Sequence, residues 1–278
     1  MDGVIRFSDE INSYPLENNG RSALIYVTNS IGFSLTGSGT IDGQGLKWWR
    51  YAYSGVDQRP ILIEFITSRS LEINGISLLN SPKWSVSFND CADIIVHDIT
   101  IFIDSSVTRV HDRSSVTYAL NTDGIDISAT NVTLYNNNIT NYDDAIVVKP
   151  CRSNWVYCQC SGAVFAYNNT IAYSTGLAIG SVPPNEAVNC VRNVTFANSR
   201  LIRPLKALYL KSNPGISGTG IIEDITYTDI TIQAALWWTI WMGPQQQNQP
   251  GDDNQVSLKA QQNCAIYPLD CAGNMRRT

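Results

Sequence analysis

Apolar and polar residues alternate with a period of two along most of the chain. One arrangement returns: aliphatic, any, apolar, any, Asn/Asp/Gly, two further positions, aliphatic. It runs from Leu71 through Leu78 and again from Ile94, Val132, Val164, Val194 and Ile225, with a looser copy from Phe33 through Thr40. Successive starts after Leu71 lie 23, 38, 32, 30 and 31 residues apart. A recurring unit of roughly 20–40 residues marks a solenoid. The alternation of Ile, Val, Thr, Phe and Tyr predicts strands, and no long stretch of period 3.6 is visible. One coil of such strands cannot bury its apolar side alone, whereas stacked coils share a continuous core. The expected fold is therefore all-β, a single-stranded right-handed parallel β-helix, as one domain over residues 1–278. The Asn at the turn position (Asn136, Asn168, Asn198) tolerates left-handed backbone and can stack its amide in a ladder, so it is given no catalytic role.

A second frame lies inside the first. Asp123-Gly124-Ile125-Asp126-Ile127, Asp144-Ala145-Ile146-Val147-Val148, Thr175-Gly176-Leu177-Ala178-Ile179 and Lys206-Ala207-Leu208-Tyr209-Leu210 each read variable, small, aliphatic, free, aliphatic. These blocks predict strands at 125–127, 146–148, 177–179 and 208–210, stacked in register about 4.8 Å apart. Asp123, Asp143 and Asp144 would then meet on one face. Crowded carboxylates repel one another and cost stability, so they are expected where acid and base chemistry is needed.

Composition changes the picture only in part. Of 278 residues, 44% are hydrophobic and 15% charged, a low charge that suits an extracellular β-rich protein. The net charge of −5 argues against a nucleic-acid partner. Locally, Lys149, Lys206 and Lys211 fall on the aligned rungs beside the acids. Two longer connections, between Ile101 and Val132 and from Lys149 to Gly162, flank those rungs and are expected to wall a cleft. With two His, no His-rich metal site is expected, and neither a metal nor another cofactor is called for. Cys264 and Cys271 are placed to close a short loop. One of Cys151, Cys158 and Cys160 is expected to pair with another, and the odd total of seven Cys leaves a thiol over. Glycosylation sequons stand at Asn131, Asn138, Asn168 and Asn193. No stretch is long and apolar enough to span a membrane, and Met1-Asp2-Gly3 opens no apolar leader. Met275-Arg276-Arg277-Thr278 does not read as a capped solenoid end. The expectation is a secreted monomer whose leader lies outside this sequence.

Three acids without a Ser/His/Asp set point to glycosidic hydrolysis, one carboxyl protonating the leaving oxygen while another activates water. Clustered Asp also binds calcium. A glycan-binding β-helix without activity and a calcium-dependent polysaccharide lyase are the readings from other classes.

The order of short motifs then becomes specific. Gly37-Ser38-Gly39-Thr40-Ile41-Asp42-Gly43-Gln44-Gly45, Trp48-Trp49, Arg59-Pro60, Asn80-Ser81-Pro82-Lys83-Trp84, Asn121-Thr122-Asp123-Gly124, Asp143-Asp144, Gly176 through Ser181 and Lys211 follow in sequence. Over residues 30 to 215 the chain resembles glycoside hydrolase family 28, the polygalacturonase family of pectin-degrading right-handed β-helices. The resemblance implies that Asp143 is the general acid. It implies that Asp123 and Asp144 hold and activate water, with inversion, so acid and base carboxyls should stand ~6.5–9.5 Å apart. It further implies Asn121, Asp126, Lys149 and Lys211 as substrate-binding positions and an acidic plant or algal cell-wall polysaccharide as partner. Polygalacturonases carry His where Thr175 stands and Arg where Tyr209 stands. Tyr209 would offer a ring face and a hydroxyl to a sugar, leaving Lys211 alone for the substrate carboxylate. These departures, with Lys211-Ser212-Asn213-Pro214-Gly215, open a rhamnogalacturonan- or xylogalacturonan-type substrate as the alternative.

Overall fold

The computed structural model describes residues 1–17, 20–21, 23–53, 57–105, 119–152, 154–182, 188–212 and 219–244. His111, Cys264, Cys271 and the Asn213-Pro214-Gly215 stretch lie outside the described residues. So does the middle of the long connection after Ile101.

Parallel strands stack into three faces. The face that matters for chemistry contains Ile25–Thr28, Ile63–Ile66, the start of Val86–His97, the start of Ile125–Tyr135, Ile146–Val148, Leu177–Val182, Lys206–Ser212 and Trp238–Pro244. The predicted register is found: Ile125 pairs with Ile146, Ile146 with Leu177, and Leu177 with Leu208. A second face continues from the same long strands, which bend at a register shift between Asn89 and Cys91. It adds Arg69–Asn74, Ser161–Tyr167, Val188–Ala197 and Thr219–Thr228. The third face runs from Val4–Arg6 to Thr231–Gln233.

Inward side chains form the core. Ile63, Val86, Ile125, Ile146 and Leu177 are fully buried in one column, and Phe65 stacks on Phe88 with centroids 5.0 Å apart. Each fully buried aliphatic side chain contributes about 1.5–3 kcal/mol. The small residue of the repeated frame has a steric cause. Gly176 adopts φ +82°, and a Cβ there would sit 2.1 Å from the carbonyl oxygen of Ala207.

Asn136, Asn168 and Asn198 do take positive φ. The buried amide ladder, however, lies one residue further on, where Nδ2 of Asn137 donates to Oδ1 of Asn169 at 3.0 Å. A helix, Leu46–Tyr53, is an element the strand pattern does not predict. It buries Trp48 and Trp49, and Nε1 of Trp49 donates to the Ser81 carbonyl at 3.0 Å.

The connection after Lys149 is tied down three ways. Cys151 pairs with Cys158, and Cys160 pairs with Cys190, a second bridge that spacing alone did not reveal. The Asp90 carboxylate accepts the backbone N–H groups of Val156, Tyr157 and Cys158 at 3.0, 2.7 and 3.1 Å. Cys91 is the free thiol among the described residues, and burial pushes it up to about 12, so it is inert.

Candidate active site

Stacking brings outward positions of successive rungs into columns. Asp123, Asp144, Thr175 and Lys206 precede the paired Ile125, Ile146, Leu177 and Leu208 by two residues, so they follow one another along the face. Asp143 joins them from the turn before Asp144. Asn141 shapes that turn: its Nδ2 donates to the carbonyls of Thr122, Asp143 and Asp144 at 3.0, 3.0 and 2.8 Å. Oxygens of Asp123, Asp143 and Asp144 all lie within 4.8 Å of one another, and the three residues are buried. This is closer than the ~6.5–9.5 Å expected between acid and base for inversion, because all three acids sit on adjacent rungs of a single face.

The environments push the three apart. Burial raises Asp123 well above the usual carboxylate range, and the charges of Asp126 and Asp143 add to it. Burial and the charge of Asp144 raise Asp143 as well, although the N–H groups of Asn121 (3.0 Å) and Asp144 (2.9 Å) donate to its two oxygens. Burial acts upward on Asp144 too, but Lys211 and Thr175 outweigh it and hold it below its ordinary value. Lys211 binds Oδ2 of Asp144 and Thr175 Oγ1 donates to Oδ1 at 2.5 Å. Asp144 is thus pushed toward the ionised form, and Asp123 and Asp143 toward the protonated form.

Several residues expected to meet substrate pack against the acids or their neighbours. Asp126 is buried and paired with Lys149, whose amine also lies 3.7 Å from Asp123 and 3.8 Å from the Trp84 ring centroid. Burial and the Lys149 charge act in opposite senses on Asp126, with burial prevailing to raise it. Asn121 is buried with its N–H on Asp143. Thr175 is spent on Asp144. Tyr209 is 2% exposed, with the Lys206 amine 3.9 Å from its ring centroid and the Lys211 amine at 5.2 Å. Its ring packs with Val147, Ala178 and Trp241 on the same face. Lys211 is paired with Asp144.

Arg59 is a support the acidic pattern did not reveal, although Arg59-Pro60 belongs to the motif series. It is buried, its Nη2 donates to Oδ1 of Asn121 at 2.9 Å and its Nε to Oδ1 of Asp57 at 2.8 Å. It thereby fixes the residue that holds Asp143. Asp123, Asp143 and Asp144 are also the described residues that could hold a cation. Lys149 and Lys211 already place two ammonium groups against this cluster and its neighbour Asp126, which is the counter-charge a divalent ion would supply.

A family model, glycosyl hydrolases family 28, matches residues 2–257. The chain belongs to this family. Endo-xylogalacturonan hydrolase A of Aspergillus tubingensis is 29% identical over 242 residues, covering 84% of this chain and 54% of that protein. A polygalacturonase of Saccharomyces cerevisiae is 30% identical over 183 residues, 65% of this chain and 45% of its own length. This family 28 chain spans about half the length of the curated relatives it matches. Among solved structures, the polygalacturonase from Erwinia carotovora ssp. carotovora superposes with a TM-score of 0.71 at 22% identity, over 87% of this chain and 66% of that one. The endo-xylogalacturonan hydrolase of Aspergillus tubingensis superposes with a TM-score of 0.66 at 25% identity, over 84% and 63%. The fold is the right-handed parallel β-helix that the repeats predicted.

Proposed function

We propose that this family 28 chain is an acid–base glycosidase of galacturonate-containing pectic polysaccharide. One observation carries the reading: three buried aspartates share one face within 4.8 Å, with one pushed toward the ionised form by Lys211 and Thr175 and two toward the protonated form. Asp143 gives its proton to the leaving glycosidic oxygen as the bond to the anomeric carbon breaks. Asp144, with Asp123 beside it, takes a proton from the attacking water as the new carbon–oxygen bond forms. Both oxygens of Asp144 are engaged, by Thr175 and Lys211, which makes it a poor covalent nucleophile and favours water as the attacking group. The short carboxyl spacing by itself would fit retention; the engaged Asp144 supports inversion.

A second reading shares the chemistry and differs in substrate. Thr175 and Tyr209 stand where polygalacturonases carry His and Arg, and endo-xylogalacturonan hydrolases are among the relatives. Both points favour a backbone carrying neutral branches over plain polygalacturonate. Secretion as a monomer, acting on plant cell-wall pectin outside the cell, fits two disulfides and four sequons whose Asn residues are exposed. The deciding experiment compares rates on polygalacturonate, rhamnogalacturonan and xylogalacturonan. A clear preference for polygalacturonate removes the second reading, and no activity on any of the three removes the first as well.

A further inference from the structure

Lys206 differs from the other two lysines of the face. Lys149 is paired with Asp126 and Lys211 with Asp144. Lys206 is 1% exposed and makes no ion pair or hydrogen bond among the described residues. Its amine sits among aromatic rings instead, with centroids of Tyr209, Trp237 and Trp241 at 3.9, 5.3 and 5.9 Å. It follows Thr175 in the column that contains Asp144, two rungs on, or about 10 Å at ~4.8 Å per rung.

An amine buried without an anion is costly when charged. Ring faces attract an ammonium but do not neutralise it. The acids nearest in influence are already answered, Asp144 by Lys211 and Asp143 by two N–H groups. A carboxylate entering this face meets two lysines that are satisfied and one that is not. On the neighbouring rung Trp238 pairs in register with Lys206 and is 43% exposed, so a ligand that reaches the buried amine does so by displacing ring contacts at this exposed edge. Trp237, Trp238 and Trp241 cluster with centroids 5.7–6.4 Å apart, apolar surface suited to the face of a sugar ring.

We propose that Lys206 is the anion-recognising group of a sugar subsite on the C-terminal side of the aspartate cluster, taking the carboxylate of a uronate residue against the tryptophan cluster. The inference rests on the galacturonate reading and adds the position that selects the acid form of the sugar. It has a consequence in protons. Burial, aided by the charge of Lys211 and opposed by Asp144 and Asp143, brings the Lys206 amine down to about 7. The free protein at alkaline pH therefore holds it neutral, and a bound uronate draws a proton onto it.

The test is titration calorimetry with digalacturonate and with its methyl-esterified counterpart, in buffers of different ionisation enthalpy, near pH 6 and near pH 8. Expected for the wild type is uptake of about one proton per acid dimer near pH 8, almost none near pH 6, and about tenfold weaker binding at the higher pH. Lys206→Met should lose the uptake near pH 8 and bind the acid dimer at least about tenfold more weakly, with the ester affinity unchanged. Lys206→Arg, which stays charged, should bind the acid dimer without proton uptake. Equal losses for acid and ester in Lys206→Met, or acid binding by the wild type with no proton uptake near pH 8, would overturn the subsite alone. A wild type that binds neither dimer overturns the galacturonate reading and the subsite together.

Discussion

The hydroxyl of Thr175 donates to Oδ1 of Asp144 across adjacent rungs at 2.5 Å, while Lys211 takes the other oxygen. The pair accounts for the downward push on one aspartate of a buried triad whose other two members are pushed up. A hydrogen bond to a charged group contributes about 1.5–3 kcal/mol, and one pKa unit is about 1.4 kcal/mol. Thr175→Val should therefore move the acid limb of kcat/KM to higher pH by about one unit. Thr175→Ser should leave the limb in place. A pH–rate profile of the three proteins checks this.

Arg59 links Asp57 to Asn121, and Asn121 to Asp143. Arg59→Met leaves the buried Asp57 without its main partner, Lys83 remaining at 3.2 Å, and removes the brace on Asn121. A loss of about 3–5 kcal/mol is expected in denaturant unfolding, and part of it should return in Arg59→Met with Asp57→Asn. The wild-type pair also predicts a pH dependence. Burial raises Asp57, but Arg59 and Lys83 outweigh it and the net shift is downward. Its stabilisation is present above the unfolded carboxylate value and is lost as pH falls through the lower folded one.

Asp123 shows the opposite sign. Its folded pKa is raised, so ionising it costs the folded state, and stability falls as pH climbs from the unfolded value through the folded one. Asp123→Asn should accordingly raise the melting temperature at neutral pH while abolishing turnover. A melting temperature unchanged or lowered would show that the crowding is not a stability cost.

The repeated strand frame made the fold legible because solenoid stacking converts a sequence period directly into spatial register. Ile125, Ile146, Leu177 and Leu208 could be placed in one column from their spacing, and the meeting of Asp123, Asp143 and Asp144 followed. Roles were harder to read. Thr175, Tyr209 and Asp126 were placed on the correct face, yet whether an outward side chain reaches solvent or a neighbour depends on the rung beside it. Tyr209 is buried against Val147, Ala178 and Trp241, with the Lys206 and Lys211 amines near its ring. Arg59 reaches Asn121 across 62 positions of chain, a contact no local pattern encodes. The Cys160–Cys190 bridge likewise joins two coils.

Stereochemistry separates two readings of the crowded acids. The proposed mechanism, with both oxygens of Asp144 engaged, expects direct attack by water and an inverted anomer in the first product. Proton NMR of the reaction at early times reads the anomer before it equilibrates. A retained anomer would mean that one of the aspartates forms a covalent intermediate.

The most direct measurement is reducing-end release from galacturonan by the wild type and by Asp143→Asn, with ultraviolet absorbance followed in the same reactions and binding measured alongside. The expected result is new reducing ends from the wild type without an unsaturated product, and turnover lower by about 100-fold or more in the variant at little-changed affinity. Near-normal turnover in Asp143→Asn, or an unsaturated product from the wild type, would contradict the assignment of this aspartate cluster as an acid–base hydrolase site.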